Sequence, residues 1–266
     1  MADAGWKRLN EEMQRWHDLG QAVRLWWRDD DAIEPTSELE RLIMLIRQAE
    51  APLALAVIPA HASGALAERL STEPLMRPVM HGWRHDNHEP VERKKCEFGS
   101  ARQTEALRAD LSLGRENITR LFGASAARFF VPPWNRISPQ SVSLLPEFKI
   151  QALSGYGEPG LQRRDHLRVL NTHIDPIDWR GSQSLVAEQD LVARLVGLLV
   201  SRRESNHFDD PIGFLTHHLV HDSAIWNFCE RLCGFVAAHP SADWYDAYTI
   251  VGLFEDQTTS SETSVE

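Results

Sequence analysis

Three cysteines, Cys96, Cys229 and Cys233, are all that the 266-residue chain contains. So small and odd a set rules out a disulfide framework, and without a second CxxC-type pair it gives no cysteine-ligated zinc site. Cys229 and Cys233, four apart in a helix-like segment, read as packing residues. Positive charge is also scarce. A net charge of -10, with no basic stripe to offset it, excludes nucleic acid as the expected partner. No apolar run is long enough to span a membrane. The stretch MADAGWKRLNEEMQRW lacks the basic start and apolar core of a secretory signal, so a cytoplasmic location is expected. Nor is there an internal repeat or a Gly/Pro/Ser-rich linker. The expectation is one domain over residues 1–254 and a polar tail, rich in Ser, Thr and Glu, over 255–266. The sequence leaves the oligomeric state open.

What is present is an alternation of strand-like and helix-like segments. With 42% hydrophobic residues and nine tryptophans the chain can bury a sizeable core. Val23 to Trp27 reads as a strand, Thr36 to Ala49 as a helix started by Pro35 and Thr36, and Leu53 to Ile58 as a second strand. A short helix over Ala62 to Leu70, a strand ending at His81 and a long helix over Ala101 to Phe122 follow. Strands are then expected over Arg128 to Val131, Ile150 to Ser154, Arg168 to His173 and Ile212 to His217, with helices over Leu185 to Arg203 and Ser223 to His239. Such alternation predicts a parallel α/β architecture. Polar residues fall just past the strand-like runs: Asp29 to Asp31, His81, Pro132 to Asn135, Asp175 and His217. In an α/β barrel the strands' carboxyl ends converge on one face, so these groups would share a cleft. About seven strands are countable, which predicts an irregular (β/α) barrel.

The chemistry-bearing residues form two groups. Asp29, Asp30 and Asp31 repel one another, and a cation relieves that repulsion. His81 and His85 are four apart, which on a helix would place both imidazoles on one face within reach of a common ion. Two histidines and one carboxylate suit Zn²⁺, or Co²⁺, Ni²⁺ or Mn²⁺, with open positions left for water and substrate. His88 is a spare candidate ligand. His217 and His218 are adjacent, so only one can face the cleft, and His217 is the better placed. His221 with Asp222 suits a helix start, and His173 could line the site or bond to a neighbouring loop. Trp26 and Trp27 read as core packing.

With those residues in order, the chain resembles the polysaccharide deacetylases, the family of the NodB homology domain and of carbohydrate esterase family 4. Asp30-Asp31-Ala32 resembles its paired-aspartate motif, which implies Asp30 as general base and Asp31 as metal ligand. The alternative register makes Asp29 and Asp30 that pair. His81-Gly-Trp-Arg-His85 is similar to the two-histidine ligand motif. Pro133, Trp134 and Asn135 fall in the motif of one groove wall, and Asp175 and Trp179 in that of the other. Leu215 and His217 match the last motif, a pocket leucine and the general-acid histidine. Where the family has an arginine that orients the base, this chain has Val131, which leaves Arg28 or Arg136 for that role. The resemblance implies a metal-dependent hydrolase that removes a short acyl group from an amide nitrogen, with a small molecule or oligosaccharide as substrate. Two other readings stay open: hydrolysis of a different C–N bond, as in a cyclic imide or ureide, and a non-catalytic glycan-binding relative.

Overall fold

The computed structural model describes residues 2–158, 161–164 and 167–253. The expected tail over 255–266 lies outside them. In chain order the elements are α1 (Ala2–Asp18), β1 (Val23–Ala32), α2 (Ser37–Gln48), β2 (Leu53–Val57), α3 (Gly64–Leu70), β3 (Met76–His81), α4 (Thr104–Phe122), β4 (Phe129–Val131), α5 (Pro139–Leu144) and β5 (Ala152–Leu153). After these come β6 (Leu161–Arg164), β7 (Leu167–Leu170), α6 (Glu188–Glu204), β8 (Ile212–Thr216), α7 (Ser223–Ala238), β9 (Ala242–Trp244) and α8 (Ala247–Val251).

The sheet runs β6-β7-β5-β4-β3-β2-β1-β8, with β9 also on β1, and every pairing is parallel except β6 with β7. The chain just past β7 returns to β8: His173 and Ile174 donate their N–H groups to the Gly213 carbonyl at 2.7 and 3.0 Å, and Leu215 donates to the Ile174 carbonyl at 2.8 Å. Seven of the parallel strands, β1, β2, β3, β4, β5, β7 and β8, thereby curl into an irregular barrel. A Cβ on Gly213 would sit 2.6 Å from the Thr172 Cα, so only glycine allows this approach.

Strand pleating divides the core in two. Along β2, Leu53, Leu55 and Val57 face the helices, while Ala54 and Ala56 face inward with Val79, Phe129, Val131, Ala152 and Leu170. These small inward residues leave room for Trp26 and Arg28, both fully buried on β1. Ala247 and Val251 of α8, followed by Leu253, pack onto this inner cluster. Tyr248 donates to the Pro78 carbonyl at 2.7 Å, which fixes α8 to β3. Among the described residues no helix is long and apolar enough to cross a membrane.

Several elements differ from the sequence expectation. β1 does not stop at Trp27 but continues through all three aspartates to Ala32, because their carboxylates find buried partners that outweigh poor strand propensity. The N-terminal stretch is a helix. Trp6, Leu9, Met13 and Trp16 recur at helical spacing and are buried, and Glu12 is buried where it accepts from Arg203 at 2.6 Å. The hairpin strand β6, the short β9 and α8 add to the expected set.

Candidate active site

The carboxyl ends of β1, β3, β4 and β8 bring the polar residues together. Register along β1 and β2 shifts between Asp29 and Ala32: Asp29 pairs with Leu55 and Ala32 with Val57, so the stretch carries one residue too many. This is a β-bulge, and Asp31 within it takes a left-handed φ of 77°. The bulge re-aims successive carboxylates, and the three aspartates consequently meet three different sets of partners.

Asp31 meets the histidines. Its Oδ1 lies 3.1 Å from His81 Nε2 and 3.4 Å from His85 Nε2. One ligand atom from each of Asp31, His81 and His85 falls within 4.8 Å of the others, and this is the one such group of three among the described residues. His81 Nδ1 faces the Val131 carbonyl at 3.0 Å. With Nδ1 as donor to that carbonyl, loss of the Nε2 proton would leave a lone pair aimed at the cluster, the tautomer a metal requires. Burial opposes ionisation of Asp31, but the hydrogen bond and charge of His81, with His217 and His85, hold the carboxyl well below its usual range. Burial lowers the pKa of His85.

The two histidines do not share a helix face, as their spacing had suggested. β3 ends at His81, and the chain then turns through Gly82 at φ 56° and His85 at φ 63°. Buried Glu97 organises this turn by accepting from the N–H groups of Trp83 at 3.0 Å and Arg84 at 2.7 Å. Nothing in its sequence surroundings marks Glu97, because its role exists only once the loop has folded. His88 stands apart from the cluster, largely exposed, with its N–H on the Cys96 carbonyl.

Asp30 points into the barrel toward Arg28, its neighbour two residues back. Arg28 Nε and Nη2 donate to the two carboxylate oxygens at 2.8 and 3.0 Å, a bidentate pair with both side chains buried. The other N–H groups reach Asn135 Oδ1 at 2.5 Å, Ser154 Oγ at 2.5 Å and the Gly155 carbonyl at 3.3 Å. All five guanidinium donors have acceptors in reach. Arg136 points elsewhere, donating to the Lys95 carbonyl at 3.0 Å. Val131 lies among the inner apolar residues.

His217 Nε2 stands 3.9 Å from Asp30 Oδ2, so the two share one space. Its Nδ1 is buried with no hydrogen-bond partner. The Trp179 ring meets His217 edge-on, with centroids 4.7 Å apart, and its Nε1 donates to Asp175 Oδ2 at 2.9 Å. Burial raises the pKa of Asp175, opposed by the charge of His217 and by hydrogen bonds from the Ile177 N–H and Trp179. Leu215, buried on β8, is in register with Arg28. Across the opening Trp134 and Asn135 both have left-handed φ, and the Trp134 ring lies 4.3 Å from that of His85. Pro133 is buried beneath them, with its ring against Gly82.

Asp29 faces the other side of β1. Its Oδ1 accepts from His218 Nδ1 at 2.5 Å, and its Oδ2 accepts from the His218 N–H at 3.0 Å and the Thr216 hydroxyl at 2.6 Å. Both side chains of the Asp29–His218 pair are fully buried. Burial disfavours both charges, but each partner's charge and hydrogen bond outweigh it, lowering the Asp29 pKa and raising that of His218. Asp222 caps α7 by accepting from the Ile225 N–H at 2.9 Å, and His221 packs edge-on against Trp226. His173 Nδ1 accepts from the Gly213 N–H at 2.9 Å, so it serves the barrel closure.

No protein-family model matches the chain, and no curated protein matches it. Solved structures do. A candidate polysaccharide deacetylase from Mycobacterium smegmatis superposes with a TM-score of 0.64 at 13% identity, over 93% of this chain and 95% of that one. A family 4 acetyl xylan esterase from Clostridium thermocellum, solved with a cobalt ion, gives 0.52 at 13% identity over 86% and 91%. The peptidoglycan deacetylase PdaC from Bacillus subtilis gives 0.54 at 13% identity over 88% and 91%. The chain has the NodB-like barrel fold of the family 4 carbohydrate esterases.

Proposed function

We propose that the protein is a metal-dependent hydrolase that removes a short acyl group from an amide nitrogen, with an N-acetylated sugar or oligosaccharide as substrate. The observation that carries this reading is the placement of Asp30 and His217, 3.9 Å apart, beside the Asp31, His81 and His85 cluster. Two imidazoles and a carboxylate fit a single Zn²⁺ or similar divalent ion, and the Val131 carbonyl on His81 supplies the outer contact that such ligands need.

A bound divalent ion would polarise the acyl carbonyl and bring the pKa of water down towards ~7. Asp30 takes the proton from the attacking water, held for that task by the two N–H groups of Arg28. His217, as imidazolium, delivers a proton from Nε2 to the leaving nitrogen as the C–N bond breaks. Trp179 and Leu215 bound the space for a short acyl group, with Pro133, Trp134 and Asn135 as the opposite wall. Val131 at the position of the family's arginine is the feature that favours a non-catalytic relative. The fork of Arg28 on Asp30 supports catalysis over it, since the base is oriented from its own strand. The cobalt-bound Clostridium thermocellum esterase and the Bacillus subtilis deacetylase support an acyl hydrolase on this fold.

The test is elemental analysis of purified protein followed by acetate release from N-acetylated saccharides, with His81→Ala and Asp30→Asn alongside. About one zinc or similar ion per chain is expected, lost in His81→Ala, with activity reduced roughly 10²-fold or more in Asp30→Asn. Protein that holds no metal after reconstitution, or a fully active Asp30→Asn variant, refutes the proposal. Turnover of small imides without action on N-acetyl sugars moves the reading to a different C–N bond.

A further inference from the structure

The Asp29–His218 pair plays no part in the chemistry above, yet it is a fully buried acid–base couple one residue from each of the two groups that move protons. A buried pair of this kind is seldom retained for stability alone, since apolar residues of like volume serve as well or better. Its connections show a different use. One carboxylate, Asp29, accepts from the hydroxyl of Thr216 and from both the main-chain N–H and the Nδ1 of His218. These are the residues on either side of His217. Thr216 is itself fixed, because its hydroxyl oxygen accepts from Trp27 Nε1 at 2.8 Å. The imidazole of His217, by contrast, has a buried Nδ1 with no hydrogen-bond partner, so no such bond sets its position from that side. Its placement depends on the backbone that carries it.

We infer that Asp29, through Thr216 and His218, is a positioning residue that holds His217 opposite Asp30. The base follows Asp29 directly on β1 and the acid lies between the two residues Asp29 grips, so one carboxylate references both. This inference rests on the proposed hydrolase and on His217 as its acid. As the C–N bond breaks, its electron pair goes to nitrogen, which takes the proton from His217 Nε2. A displaced His217 therefore penalises only substrates whose leaving atom needs that proton.

The test compares N,N′,N″-triacetylchitotriose, an amide, with 4-nitrophenyl acetate, whose aryloxide departs unprotonated. The variants are Asp29→Asn, which leaves one acceptor oxygen for three donors, and Thr216→Val, with Thr216→Ser as the conservative control. Amide kcat is expected to fall roughly 10- to 100-fold in Asp29→Asn and Thr216→Val, on the scale of a misplaced catalytic group. Ester kcat, KM and metal stoichiometry should stay within about 3-fold, and Thr216→Ser should restore the amide rate. Equal losses on amide and ester, or no loss on either, overturn the inference while leaving the proposed function standing. If Asp29→Asn does not fold, the Thr216 pair decides by the same criteria. Wild-type protein that never cleaves the amide overturns the proposed function and this inference with it.

Discussion

Arg28→Met would remove the guanidinium that faces Asp30 while keeping a side chain of similar length. Asp30 is 2% exposed, so the substitution strands a buried carboxylate beside an apolar neighbour. Breaking a buried ion pair from one side costs about 3–5 kcal/mol. The double variant Arg28→Met/Asp30→Asn has no stranded charge. It retains the unpaired acceptors Asn135 Oδ1 and Ser154 Oγ, which makes it about 1–3 kcal/mol less stable than wild type. The second substitution should therefore recover roughly 2 kcal/mol lost to the first. Urea denaturation at neutral pH with a chelator present reads all four corners of this cycle without interference from metal binding. A single variant within about 1 kcal/mol of wild type, or a double variant no more stable than the single one, would show that Asp30 does not depend on Arg28.

Gly82→Ala tests the backbone of the turn between His81 and His85, where the proposed function places a metal ion: at φ 56° an added Cβ would fall 2.6 Å from the Pro133 ring and collide with Glu97. Metal stoichiometry should drop well below one per chain and Tm should fall, whereas full retention of the ion would show that the turn tolerates other routes. His173 supplies a pH dependence. Burial, reinforced by the charges of Arg202 and Arg194, lowers its pKa to about 3, so the folded protein keeps it neutral while the unfolded chain protonates it near 6.5. The unfolded state then binds more protons, and stability falls as pH drops through 6.5 towards 3 by up to about 1.4 kcal/mol per unit. His173→Gln should flatten that slope in denaturation curves taken between pH 7 and 4, and an unchanged slope would place the acid sensitivity elsewhere.

Much of the barrel was legible because parallel strands buried on both sides advertise themselves as short apolar runs between amphipathic helices, as at Leu53–Val57 and Ile212–Thr216. What stayed hidden were elements whose logic is tertiary. The second half of β1 carries three carboxylates that no local rule places in a strand, and only Arg28, His218 and His81 make it tenable. Strand β6 reads as Leu-Gln-Arg-Arg, a stretch with no apolar alternation, and α8 is five residues long. Within the site, the spacing of His81 and His85 pointed to a common ion for a reason the fold does not use. They converge through two left-handed residues and not through a helical turn. Glu97 and Ser154 were invisible, since each acts on groups brought close by the barrel alone. The ambiguity among Asp29, Asp30 and Asp31 could not be resolved by pleating either, because the bulge breaks the two-residue period just there.

Arg28 and Asp30 lie two residues apart on one strand. An arginine reaching Asp30 from a different strand would tie the aim of that carboxylate to how well two strands align. Here the salt bridge is written into a three-residue segment and is inherited with it. Loops after β4 could be lengthened or exchanged without redirecting the Asp30 carboxylate, provided Asn135 keeps its oxygen on the guanidinium. The barrel is in that sense modular: the Arg28–Asp30 pair, to which the proposed mechanism gives proton abstraction, is local to β1, and the chain beyond Asn135 is free to diverge.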